Sequence, residues 1–215
     1  MAKVYQHVGL ALAAFVAFEI VLFITGIAEA MREFFTSNGG FTWLLLLGAF
    51  SFIQGFAAKA SRNLHDPGKQ YMGLFVAAFG QALIFAPFLS LVFQQQGGGE
   101  TLFQAAVITG VGFSILTAIG LFTRKDLSFL RPIVMWGFGL ALIAIVLSAF
   151  IGGITLGVWF SLAMIGLSGA AILYKTQEIL RTYPIGAHVA ASVALFSSLM
   201  TMFWYVLRLL QQARR

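Results

Sequence analysis

A chain of 215 residues that is 60% hydrophobic and 9% charged, with mean hydropathy +0.94, lies far from soluble domains, in which about a quarter of residues are charged. It holds no cysteine and only three histidines, which excludes a disulfide framework and a Cys-ligated metal and leaves little for redox chemistry, so no cofactor is expected. The net charge of +6, from 13 Lys+Arg against 7 Asp+Glu, is scattered over short loops without interleaved aromatics, and so reads as membrane topology and not as a nucleic-acid surface.

An apolar stretch of about 20 residues spans a bilayer as a helix, and the composition supplies seven of them. The spacing of turn-like and charged segments predicts an all-α polytopic bundle in a single transmembrane domain, 1–215, with helices near 7–28, 41–60, 71–93, 102–123, 132–150, 152–174 and 186–210. Met1-Ala2-Lys3 lacks a cleavage-site pattern, so the first stretch reads as a spanning helix and not as a removable signal. The joints Ser37-Asn38-Gly39-Gly40 and Asn63 to Lys69 carry turn-favouring residues. The segment Gln94 to Glu100 is Gln- and Gly-rich, and Arg124-Lys125-Asp126-Leu127-Ser128-Phe129-Leu130 is short and basic. A joint at Gly152-Gly153 makes the fifth and sixth helices a tight hairpin.

Basic residues favour cytoplasmic loops. With the amino terminus inside, Lys3, Lys59, Arg62, Lys69, Arg124, Lys125, Arg131, Lys175 and Arg181 all fall on the cytoplasmic side. Arg32 opposes them, as do Arg208, Arg214 and Arg215 in a tail that seven crossings would place outside. Small residues four apart, Gly73 with Ala77, Gly153 with Gly157 and Gly166 with Ala170, are packing signals where lipid supplies no hydrophobic drive. Pro87 inside the third stretch is a source of a kink.

Polar side chains at membrane depth normally turn toward the protein interior, and they mark candidate sites. Glu19 lies roughly 18 Å along the first helix, too deep to reach either surface. It reads either as a protonatable group facing an internal cavity or as a carboxyl that clamps helices. Gln54 and Gln81 read as interhelical hydrogen-bonding groups. Lys175 and Glu178 share a face near the end of the sixth helix, and Lys59 holds a comparable place on the second. On the seventh, Ser198, Thr201, Tyr205 and Arg208 form one stripe. His7 and His188 stand close to helix starts, as interfacial histidines do.

Three segments carry a resemblance. They are Arg124 to Leu130, then Ile172-Leu173-Tyr174-Lys175-Thr176-Gln177, then Leu195 to Leu210 ending Tyr205-Val206-Leu207-Arg208-Leu209-Leu210. Together they resemble the bacterial members of the Bax inhibitor-1 family, also called the transmembrane Bax-inhibitor-motif family. The resemblance implies a seven-helix bundle with the last helix central, in the bacterial inner membrane. It also implies a pH-sensitive calcium leak whose sensor is a pair of aspartates. The first would stand at Lys175 and the second at Ser198, so both carboxylates are gone. An arginine that pairs with the first aspartate in the closed state is matched by Lys59. Calcium prefers several oxygen ligands with carboxylate charge, and a lysine at the site adds repulsion. A carboxylate elsewhere is then expected to neutralise Lys175, with Glu178 the local candidate and Glu19 the distant one.

Two functions follow. One is a permeation protein with altered gating whose calcium preference is altered or lost, the other a non-transporting regulator of membrane proteins, since one bacterial branch restrains a membrane-bound AAA protease. Partners under these readings are the lipid bilayer, a cation, and a membrane protease or other membrane protein. The pore or sensor candidates are Lys175, Ser198, Lys59, Glu19, Glu178 and Thr201. Neither paired intramembrane aspartates nor a metal-ligand His cluster is present, so no enzymatic site is expected.

Overall fold

The computed structural model describes residues 1–37, 40–151, 156–184 and 186–214, with residues 40 and 41 described by backbone alone. Among them it is all helical: α1 (Ala2–Ile24), α2 (Ile27–Ser37), α3 (Gly40–Ser61), α4 (Pro67–Phe93), α5 (Gly98–Phe122), α6 (Leu130–Phe150), α7 (Val158–Thr182) and α8 (His188–Ala213). All except α2 are long and apolar enough to cross a membrane, which is the expected polytopic bundle. α8 is the most thoroughly buried of the seven. The chain divides into two compact units, Met1–Gln95 with Tyr183–Ser197, and Gln96–Thr182 with Ser198–Arg215. α8 therefore contributes its first part to one unit and its second part to the other.

In the first unit α1, α2 and α3 all pack on α4. α1 starts at Ala2 and not near residue 7, because Val4 and Val8 extend the buried stripe of Ala11, Phe15, Glu19 and Leu22 back by more than a turn. It ends at Ile24 and not near residue 28, since Gly26 adopts φ +75° and turns the chain, a conformation open to glycine at little cost. The short helix α2 was not expected. Its apolar residues Ile27, Ala28, Met31, Phe34 and Phe35 alternate with Glu29, Arg32 and Glu33, the amphipathic pattern of a helix that lies along an interface. Arg32 pairs with Glu29 at 3.2 Å and Glu33 at 3.4 Å. Arg32, one of the cations that opposed the positive-inside assignment, therefore sits in an acidic local setting.

α3 and α4 approach closely. A Cβ on Gly73 would stand 2.5 Å from Ser61 N and 2.7 Å from Ala57 O, so glycine is required there. Gln54 Nε2 donates to Ala77 O at 3.0 Å, which is the expected interhelical bond. Asp66 caps α4 by accepting from the Lys69 N–H at 3.1 Å, with Pro67 in the first turn. Pro87 is fully buried within a helix that continues to Phe93. At the start of α1, His7 Nε2 hydrogen-bonds the Tyr71 hydroxyl at 2.9 Å and its ring meets His188 edge-on at 4.8 Å. His7 thus bonds to α4, and ring contact joins it to His188, besides both lying near helix starts.

In the second unit α5 and α6 pack on α7. The expected sixth helix, 152–174, begins instead at Val158 and runs on to Thr182. Its charged residues Lys175, Glu178 and Arg181 look like the approach to a loop, yet buried Thr176, Gln177 and Ile179 keep that turn packed. The Gly152-Gly153 joint lies outside the described residues. A Cβ on Gly166 would meet nothing within 4 Å, nor would one on Gly157, so neither makes the close approach its spacing suggests. The basic tail has structural tasks. Arg208 Nη2 donates to Leu156 O at 2.8 Å, and Arg214 reaches Gly97 O at 3.1 Å and Glu100 at 3.6 Å.

Candidate functional site

The polar residues expected to matter gather on α7 and on the second part of α8. The two run antiparallel. Lys175 meets Ser198, and Ser161, fourteen residues earlier on α7, meets Gln212, fourteen residues later on α8. Between these contacts Tyr205 packs edge-on against Phe160 with ring centroids 5.8 Å apart, and the Arg208 guanidinium lies 6.0 Å from the same ring. The stripe of Ser198, Thr201, Tyr205 and Arg208 therefore faces α7. Ser198 and Tyr205 are buried, Thr201 and Arg208 half-buried.

At the centre of this face Lys175 Nζ donates to Ser198 Oγ over 2.9 Å. An ammonium is a donor only, and a hydroxyl can accept it without cancelling its charge. The two positions at which the resemblance places carboxylates thus touch, as a cation and a neutral acceptor. Such a pair holds two helices together and offers none of the carboxylate oxygens that calcium prefers.

The flank of α7 turned toward the α5–α6 loop carries a second polar group. Gln177, buried, accepts from the Leu127 N–H and donates to Lys125 O, both at 2.7 Å. One side chain thereby satisfies a donor and an acceptor of the Arg124 to Leu130 segment. The loop closes on itself through Asp126, which accepts from the Ser128 N–H at 3.0 Å and pairs with Arg181 at 3.2 Å. The Ser128 backbone bond first, then its hydroxyl and Arg181, hold the Asp126 carboxyl below its ordinary value. The two motif segments are in this way one physical object, and Gln177 is the motif residue to which sequence reading gave no role of its own. The available signal was the joint presence of a polar residue beside Lys175 and a short loop with unpaired backbone groups.

The Glu178 carboxylate accepts from the Tyr174 hydroxyl at 2.6 Å. The remaining candidates lie in the first unit. Lys59 is exposed in the last turn of α3, and Glu19 is buried on α1 with neither carboxylate oxygen hydrogen-bonded among the described residues. The two make no ion pair with each other. Among the described residues there is no group of three or more His, Cys, Asp or Glu able to hold a metal ion.

A protein of Escherichia coli named modulator of FtsH protease YccA is 32% identical over 132 residues, 61% of this chain and 59% of its own. An uncharacterized protein of Pseudomonas aeruginosa is 32% identical over 129 residues, 57% of this chain and 55% of its own. One of Neisseria meningitidis is 23% identical over 183 residues, 85% and 79% of the two chains. The match thus spans little more than half the length of the two more identical relatives. The family model described as inhibitor of apoptosis-promoting Bax1 matches residues 1–215, and the chain belongs to that family, the Bax inhibitor-1 family.

Proposed function

We propose that this chain is an inner-membrane member of the family in which the calcium site is lost and a Lys175–Ser198 latch between α7 and α8 stands in its place. The observation that carries the reading is the 2.9 Å bond from Nζ to Oγ. It puts an ammonium and a hydroxyl where calcium would need carboxylate oxygens, so the native protein does not leak calcium. The unbroken family match over 1–215 supports a single transmembrane domain. The pattern of basic loops supports a cytoplasmic amino terminus.

Calcium flux into proteoliposomes between pH 5 and 8 tests this, for the native protein beside a Lys175→Asp, Ser198→Asp double variant. Flux in the double variant alone is the expected result. Flux through the native protein that Glu19→Gln abolishes would overturn it and give the ion path to α1.

A second reading concerns what a non-leaking member does. The name of the Escherichia coli relative, a modulator of FtsH protease, favours a regulator of a membrane-bound AAA protease. The check is degradation of a membrane substrate by that protease, reconstituted with and without this chain. Equal rates at every ratio would set the regulator reading aside.

A further inference from the structure

Beside the Gln177 bonds, the α5–α6 loop and the end of α7 enclose an open cleft of about 190 Å³, lined among others by Asp126, Arg131, Tyr174, Gln177, Glu178 and Arg181. Its four charges are not equivalent. Asp126 and Arg181 are satisfied by each other at 3.2 Å. Glu178 uses one carboxylate oxygen on Tyr174 and keeps Oε2 unbonded among the described residues, while the Arg131 guanidinium has no hydrogen bond or ion pair among them. One cation and one anion thus line the same cleft without pairing. Each is left to bind an outside group of opposite sign, and a planar guanidinium is suited to phosphate oxygens. Phe122 and Phe129, at the end of α5 and in the loop, are 84% and 59% exposed. Phe122 ends the apolar run of α5, so the cleft lies at the level where that span ends.

We propose that this cleft binds a zwitterion in which a phosphate adjoins a primary ammonium, with the phosphate on Arg131 and the ammonium on Glu178, and that its source is the headgroup of phosphatidylethanolamine. Lining by both signs argues against a purely anionic headgroup. The carboxylate of Glu178 also needs an N–H donor, which the quaternary ammonium of phosphatidylcholine lacks. The inference does not depend on whether the Lys175–Ser198 contact excludes calcium.

Lipid retention measured by native mass spectrometry tests the site, with the full chain in detergent and phosphatidylethanolamine, phosphatidylcholine or phosphatidylglycerol supplied at equal concentration. The native protein retains phosphatidylethanolamine about fivefold over phosphatidylcholine, the scale set by one favourable charge contact near a bilayer surface. Glu178→Gln removes that preference, and Arg131→Gln lowers retention of all three lipids. Arg62→Gln, exposed at the end of α3, is the control and changes neither. Melting temperatures in the same detergent establish that the variants are folded. Equal retention of the two zwitterionic lipids by the native protein would overturn the proposal, as would a loss in Arg62→Gln matching that in Arg131→Gln. Binding of soluble phosphoethanolamine to the full chain, lost in Glu178→Gln, with no preference among the three lipids would overturn the lipid source and leave a soluble zwitterion as the ligand.

Discussion

Glu19 and Lys175 are both ionisable residues on spanning helices, and the protein treats them differently. Lys175 is half-buried and reaches a hydroxyl on the neighbouring helix at 2.9 Å, two residues from a glutamine whose amide is bonded at both ends. Glu19 is 7% exposed, and neither oxygen is bonded among the described residues. Around it α1 presents Phe15, Phe18 and Phe23, each edge-on to a phenylalanine of α4. A polar group that reaches its partners ties elements together, whereas one surrounded by rings is held by its neighbours' packing at a desolvation cost. Depth alone does not separate these cases, and the presence of an acceptor does.

Mutation should therefore grade with the satisfaction of the side chain. Gln177→Leu is the largest effect. It orphans the Leu127 N–H and the Lys125 carbonyl together, and thermal unfolding in detergent should show a loss of about 2 kcal/mol, since each unmade bond to a buried group costs on that order. Gln177→Glu restores the acceptor only and should recover part of the loss. If Gln177→Leu unfolds with the native protein, the loop is held by something other than this amide. Ser198→Ala comes next, at about 1 kcal/mol, the scale of interhelical hydrogen bonds in membranes. It is checked by the same melts, with Ser198→Thr as the variant that keeps the hydroxyl.

The order of these effects also shows what could be read from the residues. The seven spans were legible, because a run of apolar residues long enough to cross a bilayer is a strong signal. Helix α2 was not. Its Glu29, Arg32 and Glu33 break the apolar run, and its 3.6-residue period sits in a stretch shorter than any span. The end of α7 was misjudged for the same reason, since Lys175, Glu178 and Arg181 signal a boundary to a hydropathy reading although Thr176, Gln177 and Ile179 bury the other side. Lys175 and Ser198 were paired by resemblance, not by periodicity, which places residues on a face but does not say which face meets which. The role of Gln177 depends on backbone groups of a loop fifty residues away, and a single sequence does not display that contact.

Glu19 gives a smaller effect of opposite sign. Replacing an unbonded buried carboxyl with an apolar side chain of similar length removes a desolvation cost, so Glu19→Leu should leave stability unchanged or raise it by about 0.5 kcal/mol. Glu19→Ala, which leaves a space among the phenylalanines, should lower it. A clear loss in Glu19→Leu would mean that the carboxyl has a partner after all, and would return it to the class of Lys175.

The smallest effect lies outside the bilayer, in the two aspartates that close loops. Asp66 accepts chiefly from the Lys69 backbone N–H and Asp126 chiefly from that of Ser128, and both carboxyls are held below their ordinary value. A carboxyl whose value is lower in the folded chain adds stability that is fully present above its unfolded value, near pH 4, and is lost as pH falls through the folded one. Melting temperature should therefore be flat in this respect from pH 7 to about pH 4.5 and decline below. Asp66→Asn with Asp126→Asn should flatten part of that decline while shifting the neutral-pH melt little, because both side chains are solvated and their ion pairs are screened. A decline that persists unchanged in the double variant would move the acid sensitivity to the remaining carboxyls, and Glu19→Gln on the same background would show whether the spanning helices contribute to it.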